Sequence, residues 1–108
     1  MATPPQYFVV EQPTQNITIV NKSKFITTLA PIKSWNDAQE LYKQICKKYS
    51  DATHNCYACI FDTLGNSLKF GDDGEPQGTA GQPMLEVLKK KNIRMTLAVV
   101  TRYFGGIK

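Results

Sequence analysis

The stretch Gly71-Asp72-Asp73-Gly74-Glu75-Pro76-Gln77-Gly78-Thr79-Ala80-Gly81-Gln82-Pro83 constrains this chain more than any other. Acidic residues sit at positions 72, 73 and 75, and glycines at 71, 74, 78 and 81. Glycine belongs where a backbone takes positive φ or approaches another group closely. Pro76 and Pro83 fix local direction and stop an upstream helix from entering. Met84-Leu85-Glu86-Val87-Leu88-Lys89-Lys90 follows with the pattern of an amphipathic helix. A glycine-rich loop therefore feeds a helix N-terminus, where free amides and the positive dipole end make an anion site inexpensive. The same residues also turn an ordinary corner, with aspartates capping backbone amides.

The flanking segments set the fold class. Residues 1–15 are polar and proline-bearing and read as a flexible arm, with a short extended piece at Tyr7-Phe8-Val9-Val10. Residues 16–108 read as one domain. Ile17-Thr18-Ile19-Val20 and Phe25-Ile26-Thr27-Thr28-Leu29-Ala30 are strand-like, and Asn21-Lys22-Ser23 turns between them as a hairpin. Ser34 opens a helix, with Asp37 giving a capping-box-like start. Trp35, Ala38, Leu41, Tyr42, Ile45, Cys46 and Tyr49 recur at helical spacing, so one face is buried. Lys43, Lys47 and Lys48 read as its solvated face. Asn55 to Phe61 is apolar throughout, which suits a strand covered on both faces. Leu68-Lys69-Phe70 returns as a short strand into the acidic loop. The second helix runs from Ala80 or Pro83 to Lys91, and Met95 to Thr101 is a central strand. The order β-β-α-β-β-α-β predicts an α+β two-layer sandwich with the helices on one sheet face.

A net charge of +4 and a pI near 9.0 are a mild push towards polyanions. The three cysteines are odd in number and not spaced as a secreted disulfide framework, which favours a reducing compartment. No apolar run approaches the roughly 20 residues of a membrane helix. The N-terminus lacks the basic and apolar regions of a secretory signal. Cytoplasmic location is the expectation.

The candidate chemistry is sparse. Cys56 and Cys59 form a C-x-x-C, but residues i and i+3 of a strand point to opposite faces, so they read as core cysteines rather than a zinc or redox pair. His54, the only histidine, reads as a general base or anion ligand, or as a strand-end residue bonding a turn. Asp72, Asp73 and Glu75 offer oxygens to a hard cation, which needs several converging at once. Arg102 reads as a salt-bridge partner of the acidic loop or a phosphate ligand, and Tyr103 and Phe104 beside it suit base stacking or core packing equally. There is no G-x-S-x-G, P-loop or H-E-x-x-H.

Three blocks carry a resemblance: Ala52 to Ala58, Asp72 to Leu85, and Val99 to Lys108. They look like the signature blocks of the Impact/YigZ family, and Ser23-Lys24-Phe25-Ile26 matches its N-terminal strand signature. The resemblance covers Ile17 to Lys108. Gln77 departs from it, standing where the family usually has Ser. The family also continues past Lys108 into a glycine-rich turn, a further helix and often a second domain, so the chain reads as incomplete at its C-terminus. The resemblance implies a ribosomal-protein-like fold, shared with domain IV of the translocating elongation factor. It implies regulation of translation through protein partners in eukaryotic members, within the amino-acid-starvation response, and nucleic-acid binding in bacterial ones. It carries over His54, Asp72, Asp73, Glu75, Gly78, Thr79, Gly81, Arg102, Tyr103, Gly105 and Gly106 as a binding surface without an assigned reaction.

The resulting expectation is a non-enzymatic binding domain in translation or its regulation. It would contact RNA, the ribosome or a regulatory protein partner, with no cofactor, metal or membrane. The alternative is a metal- or phosphate-dependent hydrolase built on the acidic loop, His54 and Arg102.

Overall fold

The computed structural model describes residues 7–72 and 80–104. Among these residues, five strands form a single antiparallel sheet in the order β1-β2-β5-β3-β4. They are β1 (Thr14–Val20), β2 (Ser23–Pro31), β3 (His54–Ile60), β4 (Leu68–Gly71) and β5 (Thr96–Tyr103). Helix α1 (Trp35–Lys48) lies between β2 and β3 in sequence, and α2 (Gly81–Lys90) between β4 and β5. The element order is the expected one. β1 starts at Thr14, within the stretch read as an arm.

Local chemistry accounts for the joints. Asn21 and Lys22 take φ of 50° and 69°, so the β1–β2 turn has both central residues left-handed. That geometry matches the strand twist of a two-residue hairpin. At the start of α1, Ser34 Oγ accepts from the Asp37 amide at 3.1 Å. Asp37 Oδ2 accepts in return from the Lys33 amide at 2.9 Å. This is a capping box displaced by one residue. Helix α2 ends in a Schellman motif: the Ile93 amide donates to Leu88 O at 2.9 Å and the Asn92 amide to Lys89 O at 3.1 Å. Asn92 supplies the left-handed residue at φ 55°. Phe8 is bridged to this exit, exchanging backbone bonds with Asn92 and Arg94 at 2.8 Å each.

The helices do not share a sheet face, which corrects the one-face arrangement expected above. Side-chain alternation on β3 and β5 divides the core in two. Cys59, Leu97 and Val99 point to α1 and pack with Ala38 and Ile45, rimmed by Trp35, Tyr42 and Tyr57. Ala58, Ile60 and Ala98 point the other way, to Leu85 and Leu88 of α2. Each fully buried Leu or Ile contributes about 1.5–3 kcal/mol of transfer free energy, so neither face of the sheet centre can be left bare. Cys56 and Cys59 are both core residues, at 1% and 0% exposure. Among the described residues no helix is long and apolar enough to cross a membrane.

Candidate functional site

One end of the sheet gathers most of the described candidates. β2 begins there, β3 begins there and β5 ends there. The register pairs Phe25 with Arg102 and Arg102 with His54, so the three form one row across three strands. Residues directly opposite in an antiparallel pair point to the same face. Alternation along β5 makes that face the α2 side, two residues beyond Val100. The Arg102 guanidinium lies 4.2 Å from the centre of the Phe104 ring and 5.5 Å from that of Phe25. Both are cation–π distances. His54 meets Phe104 edge-on at 6.2 Å and 87°. Phe104 is 53% exposed, whereas Phe25, His54 and Arg102 are half-buried and Arg102 Nε is shielded from solvent, so the Phe104 ring is the open part of this aromatic–cation cluster.

The opposite face of the same end is polar. Lys24 Nζ lies 5.8 Å over the Tyr103 ring, and the Tyr103 hydroxyl donates to Asp51 Oδ1 at 2.9 Å. Desolvation, together with that carboxylate, pushes the Tyr103 phenol above its ordinary pKa. Two bonds fasten the strand ends: the Thr53 amide donates to Arg102 O at 2.9 Å, and the Phe104 amide to Thr53 Oγ1 at 3.2 Å. Beneath them the Thr101 hydroxyl donates to Asn55 Oδ1 at 2.6 Å, and Asn55 Nδ2 to Tyr49 O at 3.3 Å. The Tyr42 hydroxyl donates to Asn55 O. The strand ends are therefore tied to a hydrogen-bonded network on the α1 face of the sheet, in which Asn55 and Thr101 are buried.

Asp72 has a different task. Its Oδ1 accepts from the Gly81 amide at 2.5 Å and the Ala80 amide at 3.1 Å. Its carbonyl lies 3.3 Å from Cys56 Sγ. The helix entrance that could have held a free anion is filled by the chain's own carboxylate, the corner-turning reading of the loop. Gly81 is where the backbone comes closest: an added Cβ would lie 3.0 Å from Gly71 O, 3.1 Å from Asp72 Oδ1 and 3.1 Å from Phe70 Cδ2. Of the remaining candidates, Asp73, Glu75, Gly78, Thr79, Gly105 and Gly106 lie outside the described residues. Among those described, no three His, Cys, Asp or Glu residues are grouped to hold a metal.

The structure thus joins His54 to Arg102 and sets Tyr103 on the reverse face. Asp72 stays on the side of His54, two β3 residues away at Cys56, with its carboxylate turned to α2. Phe25 and Lys24 were not singled out as site residues. Ser23-Lys24-Phe25-Ile26 matches a strand signature but nothing local in it marks a site, and only the strand register shows Phe25 opposite Arg102.

A family model described as the Impact N-terminal domain matches residues 21–108. The IMPACT family member YvyE of Bacillus subtilis is 48% identical over 102 residues, covering 94% of this chain and 47% of YvyE. A crystal structure described only as that of a hypothetical protein superposes with a TM-score of 0.86 at 36% identity, covering 93% of this chain and 50% of that one. The two-domain translational regulator Yih1 shares the fold, with a TM-score of 0.59 at 21% identity over 98% of this chain and 41% of Yih1. The chain spans about half the length of the bacterial relative it matches.

Proposed function

As the chain belongs to the Impact N-terminal domain family, we propose that it is a non-enzymatic binding domain of a cytoplasmic translational regulator, and that its sheet end binds unpaired RNA. The observation that carries this reading is the row Phe25–Arg102–His54 closed over by Phe104. A guanidinium within cation–π distance of two aromatic rings, one of them exposed, combines a stacking surface with a phosphate ligand. The exposed Phe104 ring is open to an unpaired base, and the net charge of +4 favours a polyanion. The description of Yih1 as a translational regulator is in keeping with this role. The hydrolase alternative would use the Asp72 carboxylate, which is engaged by two helix amides.

The test is binding of single-stranded RNA, and co-sedimentation with ribosomes, over a salt series. Affinity should fall steeply with salt as counterions are released. Arg102→Ala should weaken it by roughly tenfold, from the ~1–3 kcal/mol that one stacked base contributes. Salt-insensitive binding, or an Arg102→Ala protein that binds RNA as the parent does, would move the function to a protein partner.

A further inference from the structure

The two edges of the sheet are built differently. β4 is four residues long and carries the exposed Lys69, both common guards against strand addition. β1 is seven residues long, reads Thr-Gln-Asn-Ile-Thr-Ile-Val and holds no charge and no proline. It is exposed along its whole length, with Ile17, Ile19 and Val20 at 55%, 69% and 50%. Among the described residues, β1 pairs with β2 alone. An edge so long, neutral and β-branched is a template for another strand.

We infer that β1 pairs antiparallel with β1 of a second copy of this chain, joining two sheets edge to edge. The hairpin sets the register. Val20 and Ser23 flank the two-residue turn and close it as a hydrogen-bonded pair. Alternation then directs the amides and carbonyls of Gln15, Ile17 and Ile19 outward. A two-fold axis at Ile17, perpendicular to the sheet, sets Ile17 against Ile17 of the second copy and Gln15 against Ile19 in both directions. Every outward group of the strand is satisfied, in about six backbone bonds. Pro13, without an N–H, ends the ladder just outside. This register also carries the Glu11 end of each strand to the exposed Lys22 end of the other, so opposite charges meet at both ends of a neutral centre. A strand that satisfies itself about one axis, in hydrogen bonds and in charge, is suited to an isologous partner.

The test is sedimentation equilibrium of the 108-residue chain from micromolar to near-millimolar concentration, with residue-resolved amide exchange. A reversible dimer is expected, with slowed exchange at Gln15, Ile17 and Ile19. The double variant Ile17→Lys/Ile19→Lys should weaken it at least tenfold, while leaving the circular dichroism spectrum unchanged because both side chains are already exposed. Lys22→Glu should weaken it, and adding Glu11→Lys should restore it. A monomer at all concentrations overturns the inference and leaves the edge to a strand of another protein. A dimer that survives the double lysine variant overturns it by placing the contact elsewhere.

Discussion

Removing the Asp72 carboxylate tests how α2 is held in place. Helix α2 has no side-chain cap of its own: Ala80 stands at its N-cap and its first turn holds no acidic residue. Asp72, eight residues upstream of Ala80, fills that role by accepting from the Ala80 and Gly81 amides. In Asp72→Ala both amides lose their acceptor and the dipole loses its negative charge. A lost cap costs ~0.5–2 kcal/mol and the charge–dipole interaction ~0.3–1 kcal/mol. Asp72 is part-exposed, so solvent replaces some of this and about 1–2 kcal/mol is the expected loss. For a domain of this size that lowers Tm by roughly 4–12 °C. Thermal and urea unfolding followed by far-ultraviolet circular dichroism reads it directly. Asp72→Asn, which keeps one acceptor oxygen, should fall between the two. The empty cap is itself an anion site, so sulfate should raise the Tm of Asp72→Ala more than that of the parent. An Asp72→Ala protein within ~0.3 kcal/mol of the parent, with no preferential rescue by sulfate, would refute the capping argument.

Three further outcomes follow from packing and burial. Gly81→Ala should lower stability by about 1 kcal/mol in the same melts, because its Cβ would meet the Gly71 carbonyl at 3.0 Å and the capping Asp72 Oδ1 at 3.1 Å and so displace the cap. Thr101→Val should cost ~1–3 kcal/mol, since Thr101 is fully buried and its loss leaves Asn55 Oδ1 without that donor. Burial pushes the Cys59 thiol up to about 11, so at pH 8 it holds almost no thiolate. Ellman's reagent should therefore titrate the part-exposed Cys46 in the native protein, and Cys56 and Cys59 only on unfolding.

The helix placement shows which sequence signals carried information. The apolar run from Asn55 to Phe61 calls for cover on both faces, and the structure supplies it, with α1 on Cys59 and α2 on Ala58 and Ile60. Expecting both helices on one side contradicted that run. The local pattern was the better guide, because it reports burial directly whereas helix sidedness depends on how the chain crosses the sheet. The Ser34 cap and the Asn21-Lys22 turn were equally legible, being short-range chemistry. The partner of Arg102 was not. Phe25 lies 77 residues away in the chain (102 − 25), and only the pairing of β2 with β5 brings it opposite. An anion site and an aspartate cap demand the same residue types before a helix, so the role of Asp72 could be settled only by where its oxygen points.

The Phe25–Arg102–His54 row runs to the open edge, and this gives the two proposals a joint consequence. Thr18 of β1 pairs with Phe25, so the row His54–Arg102–Phe25 runs directly to the outer strand. An axis perpendicular to the sheet keeps the corresponding row of a second copy on the same face. Six strands then run from one β5 to the other, and five spacings of roughly 4.8 Å set the two arginine clusters about 24 Å apart. A single RNA strand long enough to span that distance would engage both clusters, the second as an intramolecular event. Affinity should therefore step up by tenfold or more beyond a threshold RNA length. Ile17→Lys/Ile19→Lys should remove the step, while short-RNA affinity should not fall below the parent's, since neither residue lies in the row and the added charge favours a polyanion. Anisotropy titrations with a ladder of single-stranded lengths measure this. A smooth length dependence, identical in parent and variant, would separate the edge from RNA binding even if each is real alone.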